Sequence, residues 1–408
     1  MILISLIFAG AYFIRIINTH PQTDTAVDHF YALYEQSVNT LNPQFDAATF
    51  YHQAAEMLLE TDFLAHCPRA DRAPNEPWSA GEHPELARFI EDNPEILEMF
   101  IQGSRLENCL RPIGEPERSG RIPPGEKFVP EPVPYLIACT GLSLGEGNTE
   151  EALARTRMIV RITNHLRQAH SLLRSVMAVT LENKLHELLQ NAILVQPAAA
   201  EYCSRLKDII SELEEYRSGT IERDFLWQMG LVYVGIEQYY DGVFVVDTSN
   251  YWTQMRDVLK WRWRTWMNNR AEAMEQYYYW YDLLLERRDL PYFSDRYQIL
   301  DSLFVQYSDL RMPGDYRIWL LSRHPNSILE ADITCQEQRQ ATALLIALTA
   351  YHQDHNTYPG TLKKLIPQYL DALPSDPWSG SEWQFRIHNG QIVLAVNKDG
   401  VEKIVVGK

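Results

Sequence analysis

Glu382 to Val396 reads EWQFRIHNGQIVLAV, and this stretch decides the fold of the C-terminal end. Two β-type runs, Glu382 to Ile387 and Gln391 to Val396, flank His388-Asn389-Gly390. Asn-Gly between such runs is the strongest short hairpin signal, because both residues accept the left-handed backbone of a two-residue turn. Asp399-Gly400 turns the chain again into Lys403 to Val406, so a three-stranded antiparallel meander is expected. Upstream, Gln336 to His355 carries Ala341, Leu344, Leu348 and Tyr351 on one helical face, which gives the meander a helix to pack on. Leu362, Leu365, Ile366, Tyr369 and Leu370 form a second short helix or turn between the two.

The rest of the chain reads as helix. Thr25 to Glu60 has apolar residues at helical spacing (Phe30, Leu33, Tyr34; Ala54, Met57, Leu58) and predicts two amphipathic helices. Four prolines from Pro68 to Pro84 mark a loop, after which Pro84-Glu85-Leu86 and Asn93-Pro94 each start a helix with proline near its first turn. Arg111 to Pro134 is dense in Pro and Gly and predicts a long surface loop. Thr149, followed by Glu150 and Glu151, is placed as an N-cap, and Ile159, Ile162, Leu166, Leu185, Leu188, Leu206 and Ile209 continue the three-four rhythm of stacked helices. No fixed period repeats along the chain.

At the start, Ile2 to Ile17 is apolar apart from Ser5 and Arg15 and predicts an uncleaved membrane anchor, with a cleaved signal or a buried helix of a soluble protein as the alternatives. The expected architecture is therefore mainly α. An anchor (1–20) leads to an N-terminal helical region (21–110) and a Pro/Gly-rich loop (111–134). A helical-repeat-like body (135–330) and a small α+β module (331–408) follow. At 408 residues, several cores are the natural expectation. Lys and Arg number 37 against 54 Asp and Glu, and the net charge of −17 repels phosphate backbones, so nucleic acid is excluded as a main partner. Five cysteines, Cys67, Cys109, Cys139, Cys203 and Cys335, show no ligand spacing. Buried thiols are the simple reading, and a Cys67–Cys109 bridge is the alternative in an oxidising compartment.

Tyr351-His352-Gln353-Asp354-His355-Asn356-Thr357-Tyr358-Pro359, continued by Leu370, Leu373-Pro374-Ser375-Asp376-Pro377-Trp378 and Gly380, resembles the globular core of type II secretion major pseudopilins. The resemblance implies a long helix ending in a Tyr-Pro turn, then a Leu-Pro-x-Asp-Pro-Trp loop leading into a small sheet. Tyr358, Pro359, Pro374, Asp376, Pro377 and Trp378 are then structural motif residues. Asn356 stands where the family has glycine, suited to the left-handed end of a helix, and Trp378 would cap the apolar sheet face. The likeness covers roughly residues 335 to 400. No Gly-Phe-x-x-x-Glu cleavage motif precedes the N-terminal apolar run, and of the family's calcium loop only the start, Asp399-Gly400, is matched, so calcium and other cofactors are not expected. Other stretches, among them 47–55 and 89–97, are similar to uncharacterised bacterial envelope proteins that end in this module.

Several motifs invite a catalytic reading. Gly141-Leu142-Ser143-Leu144-Gly145 fits the GxSxG nucleophile elbow after an apolar Tyr135 to Cys139, but no βα units follow, and a turn between helices is the expected state. Ser204-Arg205-Leu206-Lys207 fits SxxK without its partner motifs, and the pairs His165/His170 and His352/His355 lack an acidic third ligand. Trp252, Trp261, Trp263 and Trp266, interleaved with Arg262 and Arg264, form a candidate binding surface in the aromatic-rich 251–281 region, with an aromatic core as the simpler alternative. These features predict a non-enzymatic, membrane-tethered protein of the bacterial inner membrane whose body is extracytoplasmic. Its partners are envelope or secretion-related proteins. The competing expectation is an extracytoplasmic hydrolase or glycan-active enzyme using Asp/Glu near 251–281.

Overall fold

The computed structural model describes residues 46–67, 74–107, 109, 132–168, 172–195, 200–213, 316–398 and 400–406. Among these it is mainly helical, with a three-stranded antiparallel sheet at the C-terminal end. The anchor segment 1–20, the aromatic-rich 251–281 region, His170 and Asp399 lie outside the described residues.

Helix α1 (Ala47–Glu60) begins where Asp46 Oδ1 accepts a hydrogen bond from the Ala48 amide at 3.0 Å. Helices α2 (Pro84–Asp92) and α3 (Pro94–Ser104) each open on a proline, which lacks only an amide that the first turn leaves unbonded. Helix α4 (Pro132–Gly145) takes the last three residues of the expected Pro/Gly loop, for the same reason. Helix α5 (Thr149–Gln168) includes Thr149 itself. The cap position falls one residue earlier, at Asn148, whose carbonyl accepts from the Ala152 amide at 2.9 Å. Helices α6 (Leu172–Val195) and α7 (Ala200–Ser211) complete the body, and α8 (Tyr316–His355) starts twenty residues before the expected Gln336.

In the core, α1 packs on α3, α5 on α4 and α6, and α6 on α8. The residue pairs joining α6 to α8 (Val179 with Cys335, Glu182 with Arg339, His186 with Thr342) rise together along both helices, so the two run parallel at this contact. Helix α8 ends at His355 because Asn356 adopts φ +53°, the left-handed stop that its short side chain tolerates.

Strands β1 (Gln384–His388), β2 (Gln391–Lys398) and β3 (Val401–Val406) form the meander in the order β1-β2-β3. The β1–β2 turn is Asn389 at φ +50° and Gly390 at φ +79°, the conformation that the Asn-Gly signal predicts. Ile392, Leu394, Val396 and Val406 join the helices in one apolar core.

Candidate functional site

The loop from Leu373 to Gly380 is organised around Asp376, which is 1% exposed. Pro377 has no amide proton, so the Trp378 amide is the first donor the carboxylate meets, at 2.8 Å from Oδ1. Oδ2 accepts from Ser379 Oγ at 2.6 Å and from the Asn397 amide at 2.7 Å, tying the loop to β2. The Asp376 amide in turn donates to the Ser381 carbonyl. Three protein donors occupy the carboxylate where a cation would have to sit, so Asp376 is a structural residue.

Trp378 is buried, and its indole Nε1 donates to Glu337 Oε2. Lys398 Nζ stands over its ring at 3.9 Å, and Lys403 Nζ bonds both Glu337 oxygens at 2.7 and 2.9 Å. Glu337, fully buried on α8, is thus the joint through which the helix holds both the loop and β3. Pro359 is buried and Tyr358 half-buried, with the Tyr358 ring against His352 at 4.4 Å. Pro374 and Pro377 are half-buried at either side of Asp376. The six motif residues therefore lie in one structural unit, with Trp378 buried in the apolar core it shares with α8 and β2.

A second polar constellation crosses the interface of α6 with α5 and α8. Glu182 on α6 is fully buried and receives Arg167 from α5 and Arg339 from α8, the latter at 2.8 and 3.1 Å. Burial alone would raise its carboxyl, but His186, Arg167 and Arg339 outweigh that and hold it down to about 2. One turn along, His186 Nδ1 lies 3.0 Å from Thr342 Oγ1. Gln190 Nε2 reaches Thr342 Oγ1 and Gln338 Oε1, each at 3.0 Å. Burial is the main reason the His186 ring is pushed below its ordinary value, with Glu182 working the other way. Thr342, His186 and Glu182 superficially resemble a nucleophile–base–acid series. All three are fully buried, however, and Thr342 Oγ1 is already held by Gln190 and by the Gln338 carbonyl.

The remaining motifs resolve into packing. GxSxG lies inside α4, where the expected turn between helices does not occur, and Ser143 Oγ bonds the Cys139 carbonyl. Its glycines admit the Pro74–Ala80 segment. A Cβ on Gly145 would lie 2.0 Å from the Trp78 carbonyl oxygen, and one on Gly141 would lie 2.9 Å from the Trp78 ring. The Trp78 amide donates to the Gly141 carbonyl, and its indole donates to that of Ala138.

Ser204 and Lys207 of SxxK are exposed on α7. His165 is buried and bonded to Tyr51 Oη at 2.7 Å, and burial lowers its ring to about 4. The rings of His352 and His355 lie tilted against those of Tyr358 and Tyr351, and no group of three metal-ligating side chains forms among the described residues. Cys67 is half-buried and the other four cysteines are buried, and the Cys67–Cys109 bridge is not formed.

The expected binding surface of Trp252, Trp261, Trp263, Trp266, Arg262 and Arg264 lies outside the described residues. Sequence reading missed Glu337, Glu182, Arg167, His186 and Arg339. The one available signal was the spacing of Glu182, His186 and Gln190 at four-residue steps, which on most helices marks a solvated face. No family model, no curated protein and no solved structure matches the chain.

Proposed function

We propose that this protein is a non-enzymatic scaffold of the bacterial envelope. In this reading it is tethered by its apolar N-terminal segment and presents its C-terminal module to envelope or secretion-related proteins. The observation that carries the reading is the way the module is mounted. Helix α8 runs from the helical body into the module, and Glu337 fastens β3 and the Trp378 loop to it, so the sheet is held out on a firm support. Strands β1 and β3 each pair only with β2 among the described residues, leaving outer edges on which Ile387, Val401 and Ile404 are exposed. Open strand edges are surfaces to which extended segments of other chains add.

The buried charges support the same reading, since Glu182, Glu337 and Asp376 are each taken up by internal partners. The resemblance to pseudopilins points to the same class of partner, and the apolar Ile2 to Ile17 points to the membrane.

Affinity capture of the full chain from solubilised membranes tests the proposal. Reproducible recovery of an envelope protein, lost when Ile387 and Ile404 are replaced by Lys, is the expected result. Recovery of no reproducible partner would overturn it.

A further inference from the structure

Both faces of the central strand β2 are closed. On one face Ile392, Leu394 and Val396 enter the apolar core. On the other, Val393 and Ala395 are also buried, in the register that sets them beside Arg386 and Ile404, and the Arg386–Glu402 ion pair runs from β1 to β3 across the sheet. What the sheet has left to offer another molecule is its two edges.

The edges differ. Along β1, Gln384, Arg386 and His388 are exposed, and Ile387 is the one large apolar side chain exposed with them. Charged and polar side chains on an edge resist strand addition. Along β3, Val401 is 68% and Ile404 44% exposed, and both charges between them are already matched, Glu402 by Arg386 and Lys403 by Glu337. The irregularity of β3 falls after Ile404, so Val401 to Ile404 keep a regular register with β2. β3 is therefore the apolar and electrically balanced edge.

Charge also selects the partner. Residues 333–408 hold seven acidic and seven basic side chains, so the whole net charge of −17 lies earlier in the chain. Two copies that met through their acidic bodies would repel each other, whereas two that meet through their modules do not. We infer that β3 pairs with the β3 of a second copy, antiparallel about a two-fold axis, so that two sheets join in the strand order β1-β2-β3-β3-β2-β1. A contact of this symmetry satisfies both β3 edges at once, covers Val401 and Ile404, and leaves β1 open to another protein. One strand from each side is a small contact beside the ~1,600 Å² of a standard stable interface, so the pairing is reversible. It rests on the same open edge as the scaffold reading and commits that edge to a second copy.

Photo-crosslinking of the purified full chain tests the pairing, with benzoylphenylalanine placed at Val401 on β3 or at Ile387 on β1 and two differently tagged copies mixed. The expected result is an adduct joining both tags from Val401, none from Ile387, and loss of the Val401 adduct in Ile404→Lys with Trp378 fluorescence unchanged. No adduct between copies from Val401, an equal yield from Ile387, or a Val401 adduct that survives Ile404→Lys would overturn the inference. If Ile404→Lys does not fold, the contrast between Val401 and Ile387 decides alone. Recovery of an envelope protein by affinity capture, together with no copy-to-copy adduct from Val401, would sink the pairing and leave the scaffold reading standing.

Discussion

Two buried glutamates hold this molecule together, and they do so differently. Glu182 sits where three helices meet and is clamped by two arginines and a histidine, of which Arg167 and His186 are closed to water and only Arg339, 20% exposed, reaches it. Glu337 sits where helix meets sheet, bonded by the buried Trp378 indole and by Lys403, whose side chain is 38% exposed. The first is a sealed junction whose members depend on one another. The second lies near a rim, where water can take over part of the charge. A buried ion pair contributes little net stability when complete and costs much when one partner is removed, so the two joints should differ most when broken.

Glu182→Ala tests the sealed joint. It leaves Arg167 buried without its carboxylate and should cost about 3–5 kcal/mol in the denaturant midpoint of the helical body. A loss as small as that of an exposed pair would mean that water reaches the cluster. Glu337→Gln is the matching change at the rim. It retains an acceptor for Trp378 but loses the ion pair with Lys403, and should cost about 1.5–3 kcal/mol, with a shift in Trp378 fluorescence as the loop loosens. The comparison fails if this variant proves the more damaging of the two.

Gly145→Ala breaks a joint of a third kind, apolar and backbone to backbone. The added Cβ meets the Trp78 carbonyl, the Pro74–Ala80 segment must move, and a loss of about 1–3 kcal/mol is expected by thermal unfolding. Arg386→Ala, which removes the exposed pair with Glu402 across the sheet, should leave the midpoint unchanged.

The same contrast explains what was legible in the sequence. The Asn389-Gly390 hairpin, the Asn356 stop and the Asp376-Pro377-Trp378 loop were readable because their chemistry is local. Each is a short segment whose backbone demands particular residues, and the structure meets those demands with φ values of +50° and +53° and a carboxylate that bonds an amide two residues on. The proline-led starts of α2 and α3 were legible for the same reason.

Glu337 and Glu182 were not legible, because their partners are distant in the chain. Lys403 lies 66 residues from Glu337, and Arg339 lies 157 from Glu182, so only the folded packing shows that these carboxylates are interior. GxSxG failed in the opposite sense. Its pattern was present, but in a helix the spacing of its glycines clears a path for Trp78. The start of α8 lies twenty residues before Gln336 because the helix continues through Pro325, a residue that in sequence reads as a helix breaker.

Hydrogen exchange of the full chain at neutral pH tests most directly the central claim, that Glu337 and the α6–α8 seam bind module and body into one unit. The amides of Leu394 and Val396 on β2 should open with the same free energy as those of Leu185 and Leu188 on α6. Exchange on β2 that is much faster, while α6 stays protected, would show a module that opens on its own and would contradict the account.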